Sequence, residues 1–263
     1  MQPRPLEGKV VLVTGASRRV GIGSEIARRV AEDGASVMLH SWAPHDEEQP
    51  WGADPGWPDA LAGELRDLGG KVEHVAADFA DPLAPSRVVG AALEAFGHLD
   101  AVVANHARSS AQSLESLTAT EVDLTYAVNT RATLLLAQAF AAQHDGTRGG
   151  RIVVFTSGQY HGAMPGELPY VASKAALHGL TASLAVHLMP RGITVNCVNP
   201  GPNDTGYADE ATIAAVRDRN PGGRWGVPAD TARLVAWLLS DEADWVTGQV
   251  IASDGGWSAL GGA

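Results

Sequence analysis

Three side chains within one stretch, Ser157, Tyr170 and Lys174, bring a hydroxyl, a phenol and an ammonium together. Upstream, Arg151-Ile152-Val153-Val154-Phe155 is a β-branched and aromatic run bounded by Gly149 and Gly150. It predicts a buried strand that leaves Ser157 at its carboxyl end. Downstream, Pro169 suits a first helical turn, and Leu177, Leu180, Leu184 and Leu188 continue an apolar stripe at helical spacing. Tyr170 and Lys174 then share one helix face, a turn apart. A free phenol titrates near ~10, too high to shuttle protons at neutral pH unless a neighbouring cation stabilises its anion. Ser157 is placed to hold a substrate oxygen while Tyr170 gives or takes its proton. That is acid/base chemistry on a carbonyl/alcohol pair, and it needs a hydride carrier. By itself a Tyr-x-x-x-Lys pair is an ordinary amphipathic pairing and Ser157 an ordinary loop hydroxyl.

A site for such a carrier stands at the other end of the chain. The strand Val10-Val11-Leu12-Val13 runs into Thr14-Gly15-Ala16-Ser17-Arg18-Arg19-Val20-Gly21-Ile22-Gly23, then into a helix carrying Ile26, Ala27 and Val30. Glycines let backbone approach a pyrophosphate, and the helix start offers free N–H groups and a partial positive charge. Gly34 closes that helix and Ala35 to His40 forms a second strand, completing a right-handed βαβ unit. The residues after the second strand meet the adenosine ribose in such units, and an acidic residue there favours NAD. This chain offers Ser41-Trp42 and no carboxylate until Asp46, while Arg18 and Arg19 supply positive charge one loop away. The balance favours NADP(H) over NAD(H); the competing reading has both arginines as solvated loop residues.

The remaining elements must place these two sites on one scaffold. Ala43 to Pro58, rich in Pro, Gly, Trp and acidic residues, reads as an ordered excursion anchored by Trp51 and Trp57. A helix is expected from Pro58 to Leu68, a third strand from Lys71 to Ala77 ending at Asp78-Phe79, a helix from Pro82 to Phe96 and a fourth strand from Leu99 to Asn105. Leu117 to Gln143 carries one long helical pattern, with Asn129 polar on a mostly apolar face and so either exposed or specifically bonded. Ile193 to Val198 is a strand, Gly206 to Pro228 a candidate mobile lid, Pro228 to Leu239 a helix and Trp245 to Ile251 the last strand. The alternation predicts an α/β fold, a doubly wound parallel sheet (Rossmann fold), as a single domain over 1–263.

Composition narrows the function. Hydrophobic residues are 45% and charged residues 19% of 263, a globular balance without a run long enough for a membrane span. The formal net charge of −11 argues against nucleic acid and anionic lipid as partners. Nine histidines without paired ligand spacing argue against a metal site, and the lone Cys197 reads as a small buried hydrophobe. The N-terminus, Met1 to Lys9, lacks the apolar core of a signal peptide, which places the protein in the cytoplasm.

Together these stretches resemble the short-chain dehydrogenase/reductase family, in its 3-oxoacyl carrier-protein reductase-like branch, over nearly the whole chain. Thr14-Gly15 through Gly21-Ile22-Gly23 resembles the Thr-Gly-x-x-x-Gly-x-Gly cofactor loop, with two extra residues before Gly21. Ala104-Asn105-His106-Ala107 is a degenerate Asn-Asn-Ala-Gly motif. Asn129, Ser157, Tyr170 and Lys174 match the catalytic tetrad, and Pro200-Gly201 with Thr205 the Pro-Gly-x-x-x-Thr turn. The resemblance implies Tyr170 as general acid in reduction, Lys174 binding ribose hydroxyls and lowering the phenol's pKa, Ser157 orienting the carbonyl and Asn129 holding a proton-relay water. It also implies cofactor contacts from Gly15, Ser17, Arg18, Arg19, Gly21, Ile22, Gly23, Ser41, Asp78 (to adenine), Phe79, Asn105, Ala107, Pro200, Gly201 and Thr205. A small carbonyl or alcohol substrate and a homotetramer are implied by the same resemblance. The expected reaction is reduction of a ketone, a 3-oxoacyl thioester among the candidates. NAD-dependent oxidation of a sugar or polyol is the alternative within the class. A cofactor-binding regulatory protein without turnover is the alternative outside it.

Overall fold

The structure, a computed structural model, describes residues 4–260; Met1 to Pro3, the start of the segment read as lacking a signal peptide, lie outside them. The strands β1 (Val10–Val13), β2 (Ser36–Ser41), β3 (Val72–Ala76), β4 (Ala101–Ala104), β5 (Gly150–Phe155), β6 (Ile193–Asn199) and β7 (Val250–Ala252) form one sheet. Their order is β3-β2-β1-β4-β5-β6-β7 and every pairing is parallel. The chain therefore reverses its direction of travel across the sheet between β1 and β4, the place where open α/β sheets bind ligands at their carboxyl ends.

Parallel strands buried on both faces read as continuous β-branched runs, and alternation sends successive side chains to opposite layers. Val11 and Val13 of β1 join a core with α1 (Ile22–Glu32), α3 (Trp57–Asp67) and α9 (Pro228–Leu239). Val10 and Leu12 join the other, with α4 (Ala84–Phe96), α6 (Ala132–Gln143) and α7 (Leu168–Leu188). Each fully buried aliphatic side chain contributes about 1.5–3 kcal/mol.

Several elements differ from the sequence reading. The excursion after β2 contains a short helix, α2 (Ala43–Glu47). The long helical pattern is broken into α5 (Ala119–Tyr126), a π-helical turn over Ala127–Arg131, and α6. The last strand starts at Val250 rather than Trp245; ahead of it side-chain bonds are interspersed with the backbone bonds Gly248 N to Val195 O and Cys197 N to Gln249 O. There Val195 N donates to Thr247 Oγ1 at 3.0 Å and Gln249 N to Asn196 Oδ1 at 3.2 Å. The segment read as a lid holds α8 (Glu210–Arg219), and Trp225, 7% exposed, is pinned to it by a bond from Nε1 to Ile213 O. Among the described residues no helix is long and apolar enough to cross a membrane.

Candidate active site

Strand β5 ends at Phe155, and the next two residues begin the reactive corner. Thr156 Oγ1 donates to Lys174 O at 3.1 Å, tying the strand end to the first turns of α7. Ser157 leads into a 3-10 turn over Gly158–Tyr160, and its N–H donates to Gln159 Oε1. Pro169 in the first turn of α7 fixes the helix start, so Tyr170 and Lys174 project from the same face toward Ser157. Lys174, only 2% exposed, donates from Nζ to Phe155 O at 3.1 Å and lies 5.8 Å from the centroid of the Tyr170 ring.

Burial pushes the Tyr170 phenol above its ordinary value, opposed by a hydrogen bond with Ser157 and reinforced by the Glu167 carboxylate. Burial brings Lys174 down to about 8. Burial dominates both shifts: the ammonium is itself desolvated, and its Nζ faces the Phe155 carbonyl. What the arrangement provides is a protonated phenol beside a serine hydroxyl, suited to donating a proton.

Asn129 sits in the π turn, fully buried. Its Oδ1 accepts from Arg108 N at 2.6 Å, and its Nδ2 donates to Arg108 O at 3.0 Å and Ser173 Oγ at 2.9 Å. Of the two readings of this residue, the specifically bonded one holds: its side chain clamps the loop after β4 to the residue beside Lys174.

The cofactor loop lies between β1 and α1. Gly15 has φ 72°, and a Cβ on it would lie 2.7 Å from His106 Cα. Asn105 Nδ2 donates to Thr14 O and Gly15 O, fastening the loop to the end of β4. Gly21 is the N-cap of α1 and no side chain caps it, so the N–H groups opening with Ile22 and Gly23 are offered to an anion. The Arg18 side chain is mostly buried, its Nε has no hydrogen-bond partner, and its guanidinium lies 5.4 Å from the Trp51 ring. Arg19 is exposed and stacks 4.4 Å from Trp57, whose indole donates to Ser24 Oγ. An uncapped helix start, an orphaned arginine nitrogen and a glycine elbow fit a dinucleotide phosphate.

Other expected contacts are distributed unevenly. Ser17 Oγ accepts from Trp42 N at 3.0 Å. Ser41 is 3% exposed and its hydroxyl bonds His74 Nε2, so it faces the sheet edge rather than a ribose. Asp78 caps its own turn by accepting from Ala80 N, and Ala107 is exposed at the cleft. Gly201, at φ 62°, brings the chain so close to Asp254 that a Cβ would sit 2.2 Å from its side chain. Pro200 and Thr205, on either side of this turn, are both partly exposed.

Several residues of the cleft around Phe79, itself an expected contact, escaped the sequence reading. Phe79 stacks on His40 with centroids 4.0 Å apart and meets His106 edge-on at 4.5 Å. His40 accepts from Gly15 N and bonds Ala77 O; burial lowers it to about 4. His106 bonds Thr14 Oγ1 at 2.8 Å and Val128 O at 3.0 Å, and burial holds it well below the histidine range. Two neutral histidines thus support the glycine loop. His106 had a signal, as the odd residue of its motif; His40, on a β-strand pattern, had none. Tyr207, half exposed, lies near Tyr170 and meets the Trp225 ring edge-on at 5.9 Å. Among the described residues no cluster fit for a metal occurs.

Known proteins agree with this geometry. A family model described as enoyl-(acyl carrier protein) reductase matches residues 15–258. An uncharacterised oxidoreductase, YjdA, of Bacillus subtilis is 38% identical over 250 residues, covering 94% of this chain and 96% of its own length. A hydroxynaphthalene reductase-like protein of Metarhizium majus is 36% identical, with 97% of this chain and 96% of that protein covered. A short chain dehydrogenase from Burkholderia cenocepacia, solved in complex with NADP, superposes with a TM-score of 0.83 at 38% identity, covering 95% of this chain and 98% of that one. With the Ser157, Tyr170 and Lys174 corner beside a glycine loop at the sheet's switch point, the chain belongs to the short-chain dehydrogenase/reductase family and is an NAD(P)-dependent oxidoreductase.

Proposed function

We propose that the protein reduces a ketone to a secondary alcohol with NADPH, Tyr170 acting as general acid. The observation that carries this reading is the corner itself: Tyr170 lies beside Ser157 at the end of β5, over the buried ammonium of Lys174, which is 5.8 Å from the phenol ring centroid. Bound NADPH would supply the hydride. Ser157 orients the carbonyl oxygen, and Tyr170 gives its proton to that oxygen as the alkoxide forms. Lys174, charged below about 8, holds cation character beneath the phenol and favours the phenolate left behind. Asn129 fixes the Arg108 loop and Ser173, which keeps Lys174 in register. Arg18, Ile22 and Gly23 would hold the phosphates. A 3-oxoacyl thioester remains among the candidate substrates, with Tyr207 and Trp225 of the 206–228 segment shaping access as a lid. The cytoplasm suits a chain whose single cysteine is buried and free.

One observation favours NADH instead: Asp46, absent from the usual place after β2, returns in space to 4.0 Å from Arg18 Nε and accepts from Trp51 Nε1. A carboxylate there offers an acceptor to a ribose hydroxyl. The test is oxidation of NADPH and NADH over a 3-oxoacyl thioester, a cyclic ketone, a diketone, a steroid ketone and a sugar. Turnover with NADPH preferred supports the proposal. Equal use of NADH, or a preference for it that Asp46→Ala removes, overturns the cofactor assignment.

A further inference from the structure

In the sheet, β2 and β4 lie on either side of β1. A contact between the segment after β2 and the loop after β4 must therefore pass over the carboxyl end of β1, where Thr14-Gly15 opens the cofactor loop. With strands about 4.8 Å apart, the span is roughly 10 Å. His45 of α2 makes that contact: Ser109 N donates to its Nε2 at 3.2 Å, and Arg108 Nη1 faces its Nδ1 at 3.2 Å. The rest of the excursion is moored to the cofactor loop. Trp42 N donates to Ser17 Oγ, Arg19 N donates to Asp54 Oδ2 at 2.7 Å, and Trp57 packs with 1% exposure beneath α1.

We propose that residues 42–57 form a strap over the adenosine half of the dinucleotide cleft, latched to the loop after β4 by His45 against Arg108 and Ser109. The proposal rests on the nicotinamide dinucleotide reading of the cleft. Bound cofactor would lie beneath the strap, so its release requires the latch to open.

The latch is built to be weak. A neutral imidazole has one donor and one acceptor, yet both His45 nitrogens face N–H donors. One of the two contacts is always unsatisfied. His40 differs: one nitrogen accepts from Gly15 N and the other meets the Ala77 carbonyl. Protonation of His45 would remove its remaining acceptor and set a cation against Arg108. Burial and Arg108 hold its pKa below the ordinary histidine value, while Asp46, Glu48 and Glu121 pull the other way. The latch is therefore closed at neutral pH and opens as pH falls through and below the histidine range.

Arg108 cannot simply swing aside. Glu121 binds its guanidinium at 2.9 and 3.1 Å, Glu48 stands 3.6 Å away, and Asn129 holds its backbone N and O. The yielding partner is α2, five residues long with no buried side chain. Arg108 is thus a positioning residue that joins the strap to the Asn129 clamp.

The test measures NADPH release by stopped flow for the wild type, His45→Ala and His45→Gln, between about pH 7.5 and 5.5, the range in which histidine titrates. Binding of reduced nicotinamide mononucleotide, which lacks the adenosine half, is measured alongside. Loss of one hydrogen bond's stabilisation predicts release about fivefold to tenfold faster from His45→Ala at the upper pH. Wild-type release should quicken as pH falls, His45→Gln should stay flat, and mononucleotide affinity should be the same in all three. Equal release from wild type and His45→Ala, or an unchanged pH dependence in His45→Gln, overturns the strap while leaving the cofactor reading intact. A wild type that binds neither NADPH nor NADH overturns the cofactor reading, and the strap with it.

Discussion

Burial moves Tyr170 and Lys174 in opposite directions, each toward its neutral form. The phenol is raised by burial, which keeps a proton on it for donation, whereas the ammonium is brought down to about 8 because its charge is desolvated. Tyr170→Phe removes the donated proton and should lower kcat by about 10²–10⁴-fold, with NADPH affinity by fluorescence titration nearly unchanged. Lys174→Met should abolish turnover and weaken the cofactor, yet stabilise the free protein by about 1–3 kcal/mol in urea unfolding near neutral pH, since a buried charge is replaced by an apolar chain. The sign of the pH effect comes from linkage. Native Lys174 releases its proton near 8 and the unfolded residue near 10.5, so the unfolded state binds more protons between those values. Wild-type stability from this residue therefore rises with pH across that window, and the advantage of Lys174→Met should shrink there.

At the scale of elements, the π turn at Ala127–Arg131 is where the fold serves the site. A widened turn lets Asn129 face the Arg108 loop, and its three hydrogen bonds lock that loop to α7. Asn129→Ala leaves buried polar groups of Arg108 and Ser173 unmatched, which should cost about 2–3 kcal/mol in unfolding free energy. Amide exchange should quicken at Arg108 and Ser109 before it does in β4; unchanged protection there would mean that the clamp does not hold the loop. Little of this was legible in sequence. Ala127-Val128-Asn129-Thr130-Arg131 has ordinary helical composition, so nothing local marks the extra residue in the turn. Asn129 could be flagged as polar on an apolar face, but its partner Arg108 is 21 residues distant and joined only by tertiary folding. Strands β1, β5 and β6 were legible because burial on both faces demands β-branched runs. The start of β7 was not, since side-chain bonds from Thr247 and Asn196 are interspersed there with the backbone pairing to β6. Trp51 and Trp57 gave away the anchoring of the excursion; α2, rich in Pro and charge, gave no periodicity to read.

On the scale of the whole molecule, the charge of −11 keeps most of the surface polar, which makes apolar exposure at one end of α7 informative. Val186 is 78% exposed and Trp245 88%. They share that end, because the turn at Gly248 lies so close to α7 that a Cβ there would meet Ala185 at 3.4 Å. On the α5 side, Leu117, Val122 and Tyr126 are also exposed. The resemblance implies a homotetramer, and symmetric assembly would cover such patches. We therefore predict a homotetramer. Sedimentation velocity on the wild type should give a mass near four chains of 27.3 kDa each. Val186→Glu combined with Trp245→Ser should shift it to smaller species, because a charge at a fully covered apolar contact has no partner on the facing copy. Both side chains are exposed, Val186 at the end of α7 away from Tyr170 and Trp245 in the segment before β7, so the far-ultraviolet circular dichroism should be unchanged. A wild type that sediments as a monomer, or a double variant that stays tetrameric, would place these side chains outside any subunit contact.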